Sequence, residues 1–263
     1  MLFRSLAGFP RRDAPLFFLS DVHLGVGSPQ EEARKLDSLL ALLDHVRARS
    51  GALCIVGDLF DFWYEYRSVV PRGWHRLYCA LDSLTREGLP VLYLAGNHDF
   101  AIGGFFRDDL GMRVWHDDLL LHCEGRIFYV YHGDGLAQKD DGYRLLKRLL
   151  RARWSQFLYR LLHPDLAFGI ARRFSHSSRD YTSGKFYGET DGMLLEARRR
   201  IDAGARYVIM GHRHKPCIEA VGDGTYVNLG DWIRHFSFAM YDRNTLALYR
   251  MNGRNIEAWS DPS

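Results

Sequence analysis

With 263 residues, 47% of them hydrophobic and 25% charged, the chain has the composition of a globular protein able to bury one large core or two small ones. A net charge of +3 is too small over this length to signal nucleic-acid binding by the molecule as a whole, and no run approaches the roughly 18 apolar residues of a membrane span. Cys54, Cys79, Cys123 and Cys217 are scattered in apolar runs without zinc-finger spacing, which predicts reduced, buried thiols in the cytosol rather than a disulfide framework.

Arg4, Arg11, Arg12 and Asp13 interrupt any apolar stretch at the start, so residues 1–14 are expected to be a tail, neither signal peptide nor anchor. Leu16-Phe17-Phe18-Leu19-Ser20 reads as a buried strand and ends in Asp21-Val22-His23. Ser28, Pro29 and Glu31 have the spacing of a capping box with proline at the first helical position. The helix they open should run to about Arg49, because Leu36, Leu39, Leu40, Leu43 and Val46 share a face. A second buried strand, Ala52 to Val56, is followed by Gly57-Asp58-Leu59-Phe60-Asp61. A helix from about Arg72 to Arg86 precedes the strand Pro90 to Leu94, which runs into Gly96-Asn97-His98-Asp99. This alternation predicts an α/β fold with parallel strands. Ile127 to Tyr131 then leads into His132-Gly133-Asp134, and Arg206 to Met210 into Gly211-His212-Arg213-His214. From Cys217 to Trp259 the pattern turns to β-hairpins, with tight turns at Gly222-Asp223-Gly224 and Asn252-Gly253.

Any one of these polar strand ends could be a turn satisfying its own backbone. Five in order, each behind a buried strand, point to a site, since ligands in open α/β sheets bind beyond the carboxyl ends of the strands. Carboxylate, carboxamide and imidazole donors without a thiolate suit Mn²⁺, Fe²⁺ or Zn²⁺. Asp21, His23, Asp58, Asn97, His132, His212 and His214 are too many for one ion with an open position. They suit two ions about 3.5 to 4 Å apart that share a carboxylate, an arrangement used for in-line displacement at phosphorus.

The series Asp21-x-His23, Gly57-Asp58, Gly96-Asn97-His98-Asp99, His132 and Gly211-His212-x-His214 resembles the motif string of the calcineurin-like metallophosphoesterases. The resemblance implies that Asp21, His23 and His214 hold one ion, that Asn97, His132 and His212 hold the other, and that Asp58 bridges. It further implies that His98 faces the substrate phosphate, that Asp99 orients His98, and that Asp61 stands behind the ligands. The implied fold is a four-layer α/β/β/α sandwich over residues 15–263, with a helical cap inserted at about 136–189.

Within that insert, Tyr143 to Leu162 carries a helical apolar stripe that includes Leu146, Leu149, Trp154 and Phe157. Arg144, Lys147, Arg148, Arg151, Arg153 and Arg160 lie between, with no acidic residue, which suggests a cap facing a membrane surface or acyl chains. The insert, the Gly57-to-Trp63 segment and Leu229-Gly230-Asp231-Trp232 resemble one branch of the family, the UDP-2,3-diacylglucosamine hydrolases of lipid A biosynthesis. That branch implies a lipid-linked nucleotide substrate, two divalent ions with Mn²⁺ foremost, and a peripheral place on the cytoplasmic face of the inner membrane. Asn97, His98, Tyr143, Arg179, Lys185 and His212 are the candidates for contact with the diphosphate. His98 departs from the branch, whose best-known members carry Arg there. The alternatives are a general phosphodiesterase or phosphatase acting on nucleotides or other phosphoesters, and a non-catalytic scaffold of the same fold. Against nucleic acid, the basic residues interleave with leucines rather than lining an aromatic groove; against a scaffold, all seven ligands are present.

Overall fold

The computed structural model describes residues 5–6, 14–136, 153–167, 169, 192–242 and 244–260. In chain order the strands are β1 (Ser5–Leu6), β2 (Leu16–Leu19), β3 (Ala52–Val56), β4 (Trp63–Tyr64), β5 (Val91–Leu94), β6 (Asp99–Ala101), β7 (Arg113–Trp115), β8 (Leu119–Cys123), β9 (Arg126–Val130), β10 (Tyr207–Met210), β11 (Cys217–Val221), β12 (Gly224–Asn228), β13 (Ser237–Asp242), β14 (Thr245–Asn252) and β15 (Asn255–Ala258). The α-helices are α1 (Pro29–Ala48), α2 (His75–Arg86), α3 (Arg153–Arg160) and α4 (Gly192–Asp202).

Two large sheets result, a seven-stranded one in the order β15-β14-β13-β2-β3-β5-β7 and a six-stranded one in the order β1-β8-β9-β10-β12-β11, beside a two-stranded pair of β4 and β6. Within the first, β2, β3, β5 and β7 are mutually parallel; within the second, β9, β10 and β12 are. The period of two along each strand divides the apolar residues between layers. Phe17 and Leu19 of β2 pack with Leu39 and Leu43 of α1 and Leu77 and Leu81 of α2, whereas Leu16 and Phe18 pack with Phe128 and Ile209 of the opposite sheet. Val208 and Met210 of β10 face outward onto Met193, Ala197 and Ile201 of α4. Three apolar layers between helices, sheet, sheet and helix make the expected α/β/β/α sandwich.

Helix α1 begins as its sequence predicts, with Ser28 and Glu31 capping each other's backbone and Pro29 at the first position. Ser5–Leu6, within the expected tail, pairs in parallel with Leu120 and Leu121 at the edge of the six-stranded sheet. Most of the expected cap over 136–189 lies outside the described residues, and with it Tyr143, Arg179 and Lys185; the basic helix expected over 143–162 is represented by α3. All four cysteines are free, but the expectation of burial fails for Cys79, which is exposed on α2, and is met only in part by Cys217, which is half-buried on β11. The run around Cys79, Leu77-Tyr78-Cys79-Ala80-Leu81, belongs to a helix, where an apolar stretch necessarily turns one residue outward. No helix among the described residues is long and apolar enough to cross a membrane.

Candidate metal centre

The strands that carry ligand-type residues all end at one edge of the sandwich. Asp21 and His23 follow β2, Asp58 follows β3 and Asn97 follows β5, all in the seven-stranded sheet; His132 follows β9 and His212 and His214 follow β10, in the other. Backbone hydrogen bonds tie the ends together, Asp21 N–H to the Gly57 carbonyl, His23 N–H to that of Asp58 and Gly211 N–H to that of His132. A bond between layers comes from the His212 amide, which donates to Asp21 Oδ2 at 2.8 Å.

Five of the seven ligand candidates have left-handed backbone: Asp21 (φ 53°), His23 (47°), Asp58 (55°), His212 (67°) and His214 (56°). For residues other than glycine this conformation costs on the order of 1–3 kcal/mol each and persists only where the surroundings impose it. Two motif glycines show why the sequence needs them. A Cβ on Gly96 would collide with the Asp58 carboxylate, and one on Gly57, itself at φ 83°, would meet the His132 ring and the Gly96 backbone.

Seven side chains converge in two groups. His23 Nε2 lies 3.1 Å from His214 Nε2, and Asp21 Oδ1 lies 3.2 Å from His214 Nε2 and 3.6 Å from His23 Nε2. On the other side, His132 Nε2 and His212 Nδ1 approach Asn97 Oδ1 to 2.9 and 2.8 Å. Asp58 stands between, with Oδ2 3.2 Å from His132 Nε2 and 3.9 Å from His23 Nε2. The Val56 carbonyl can only accept a hydrogen bond, so His132 Nδ1, 2.8 Å away, carries a proton and Nε2 is the atom offered to the centre.

Charge and hydrogen-bond satisfaction both fit bound cations. Among the described residues six aspartates are buried, Asp21, Asp58, Asp61, Asp99, Asp134 and Asp231, whereas the buried lysine and arginine side chains are Lys35 and Arg200. Arg200 is engaged elsewhere, by Glu196 and Asp118. Carboxylates are rarely buried unless paired or ligating, and Asp21 Oδ1 has no hydrogen-bond partner despite its histidine neighbours. Burial alone would raise the Asp21 pKa, yet His214 and His23 hold it well below the usual carboxylate range. Burial opposes a charge on His132 too, but the Asp58 carboxylate outweighs it and pushes the ring up to about 10. Burial and the charge of His132 push His212 down to about 4. Asp58 therefore holds a proton on His132 where a cation would otherwise compensate it.

His98 sits at the rim, 12% exposed, its ring edge-on to His23 with centroids 4.7 Å apart. Here the geometry corrects one expectation. Asp99 does not orient His98; its Oδ2 accepts from the backbone amides of Asp58 (3.1 Å) and Gly96 (2.8 Å), and its Oδ1 from Tyr93 OH (2.7 Å). It ties the two ligand loops together, and burial with the nearby Asp58 charge pushes its own pKa up to about 6. The group beside His98 is Asp61, whose carbonyl accepts from Nδ1 at 2.6 Å and whose carboxylate lies 3.9 Å away. The same carboxylate stands 3.8 Å from His23 Nδ1.

Three contributors went unseen in the sequence. Asn228 donates to the Gly211 carbonyl at 2.7 Å, the Trp232 amide donates to the Asp21 carbonyl at 3.0 Å, and Lys35 donates to the His23 carbonyl at 2.7 Å. Trp232 lies in a segment already singled out by resemblance; Lys35 had a signal of its own, a charge at a core position of a helical stripe.

A two-sheet sandwich with Asp, Asn and His donors gathered at its strand ends is the framework of a phosphoesterase with a divalent-metal site, and the family model for calcineurin-like phosphoesterases matches residues 14–216. The chain belongs to that family and is a hydrolase. It is 31% identical over 254 residues to a UDP-2,3-diacylglucosamine hydrolase of Porphyromonas gingivalis, covering 90% of this chain and 97% of that one. It is 33% identical over 224 residues to a protein of the same name from Pseudomonas fluorescens, covering 82% and 87%. Among solved structures, vacuolar protein sorting 29 of Cryptosporidium parvum superposes with a TM-score of 0.51 at 13% identity, covering 94% and 95% of the two chains, a likeness of fold alone.

Proposed function

We propose that this chain hydrolyses the diphosphate of UDP-2,3-diacylglucosamine to UMP and 2,3-diacylglucosamine 1-phosphate, with two divalent ions, Mn²⁺ foremost, and with water attacking the α-phosphorus. Asp58 carries the two-ion reading: a single buried carboxylate faces the His23 side and the His132 side at once. The substrate is supported by the names of relatives that match most of the chain. Asp21, His23 and His214 would hold one ion, Asn97, His132 and His212 the other, with Asp58 shared. When bound, such ions supply a water deprotonated near neutral pH and neutralise charge gathering on the phosphoryl oxygens.

The chain's own groups do the rest. The Asp61 carbonyl fixes one proton on His98 Nδ1; when Nε2 carries a second, the imidazolium would face a phosphate oxygen, either giving it the Nε2 proton or holding its charge. A phosphate leaving group is a weak base and needs little protonation, so charge is the larger part of that task, which is why His can stand where relatives use Arg. Asn97 and His212 flank the same opening; Tyr143, Arg179 and Lys185 of the cap would complete the diphosphate contacts, and the cap's basic apolar helix would face lipid at the inner face of the membrane.

Protein supplemented with Mn²⁺ and given UDP-2,3-diacylglucosamine in water enriched in ¹⁸O tests this. UMP should form at a far higher rate than product from bis-p-nitrophenyl phosphate, and the label should enter UMP. Preference for the simple diester, or label in the sugar phosphate, would overturn the assignment.

A further inference from the structure

Helix α1 faces the core with residues spaced 35, 39, 42 and 46, and at three of these the side chain is Leu39, Leu42 and Val46, each at most 1% exposed. At the first stands Lys35, 3% exposed. A lysine so placed forgoes the stabilisation of an apolar side chain and needs hydrogen-bond partners for its ammonium. It has them: the His23 carbonyl at 2.7 Å, the Val22 carbonyl at 3.3 Å and Glu32 Oε1 at 2.8 Å. Glu32, one turn earlier on α1, also accepts from the amides of Gly25 at 2.8 Å and Gly27 at 2.7 Å. The loop from residue 22 to 27 is thus gripped from behind by two adjacent α1 side chains of opposite charge.

We propose that Lys35, held by Glu32, is a positioning residue that fixes the His23 backbone and through it one of the two ion sites. His23 is left-handed at φ 47°, so its ring reaches the centre only while something resists relaxation of that backbone. The front of the loop is held by the amides of His23 and Leu24, which donate to the carbonyls of Asp58 and Leu59. The His23 carbonyl points the other way, into the helix, where Lys35 takes it. In the opposite group His132 is oriented from elsewhere, by the Val56 carbonyl. Loss of the ammonium therefore acts on one ion and spares the other. This rests on the two-ion reading above.

Lys35→Met keeps the stem and removes the donors. Chelator-treated wild type and variant are titrated with Mn²⁺ by calorimetry, with ion content measured after dialysis and thermal midpoints recorded without metal. Wild type should take up two equivalents; the variant should keep one at wild-type affinity and bind the other about 10- to 100-fold more weakly, the usual effect of losing an outer-layer partner. Two equivalents at unchanged affinity, or equal weakening of both alongside a lower thermal midpoint, would overturn the proposal. If Lys35→Met does not fold, Glu32→Gln should weaken the same single ion, and its having no effect would overturn it equally. A wild type that binds one equivalent removes the two-ion reading but still tests Lys35 on that ion; a wild type that binds none removes both.

Discussion

The two groups of candidate ligands are held by different means. Asp21, His23 and His214 all have left-handed backbone, and the loop that carries Asp21 and His23 is fixed by contacts to its main-chain atoms from Lys35, Trp232 and the residues around Asp58. In the other group His212 shares that strain, but Asn97 and His132 do not, and His132 is aimed by a hydrogen bond to its ring. All three members of the first group depend on backbone that their surroundings must hold, whereas in the second only His212 does. Strain of order 1–3 kcal/mol per residue makes the first group the one whose geometry outer residues can spoil most.

Asp58→Ala, which removes the carboxylate common to both groups, should have the largest effect: both Mn²⁺ equivalents lost from protein dialysed against micromolar metal, and UMP release with them. Retention of one tight equivalent would show that the groups are independent and that Asp58 belongs to one of them. Next comes His98→Ala, expected to lower kcat/KM by about 10²- to 10⁴-fold with ion content unchanged. His98→Arg should keep substantial activity on a diphosphate. Equal, complete loss in both variants would refute the view that the position supplies mainly charge. The smallest effect should come from Ser28→Ala, which removes the α1 cap and costs about 1 kcal/mol in a denaturant titration. Both Mn²⁺ affinities should stay at wild-type values. A fall in one of them would mean that the whole start of α1, rather than the Lys35 and Glu32 pair, holds the first group.

The inner strands of the fold were legible because each is a short, wholly apolar run bounded by turn residues. β3 was delimited to the residue and β2, β5, β9 and β10 to within one. β7 and α4 were not legible. Arg113–Trp115 is only half buried at a sheet edge, and Gly192–Asp202 begins with glycine and turns three arginines among its eleven residues toward both solvent and core. Asp99 was misread for another reason: its role was carried over by resemblance, whereas its carboxylate is taken up by the amides of Asp58 and Gly96 and the hydroxyl of Tyr93.

By itself the sequence determined the donors and their order, since buried strands ending in Asp, Asn and His carry a signal that depends on residue type and spacing alone. Only the tertiary structure decided which donors meet. Two sheets bring β2, β3 and β5 against β9 and β10, so that Asp58 faces His132 across 74 residues of chain and Asp61, not Asp99, stands beside His98. The reason is physical: strand order and sheet stacking are set by burial of apolar faces far from the site, and the polar ends follow wherever that packing takes them.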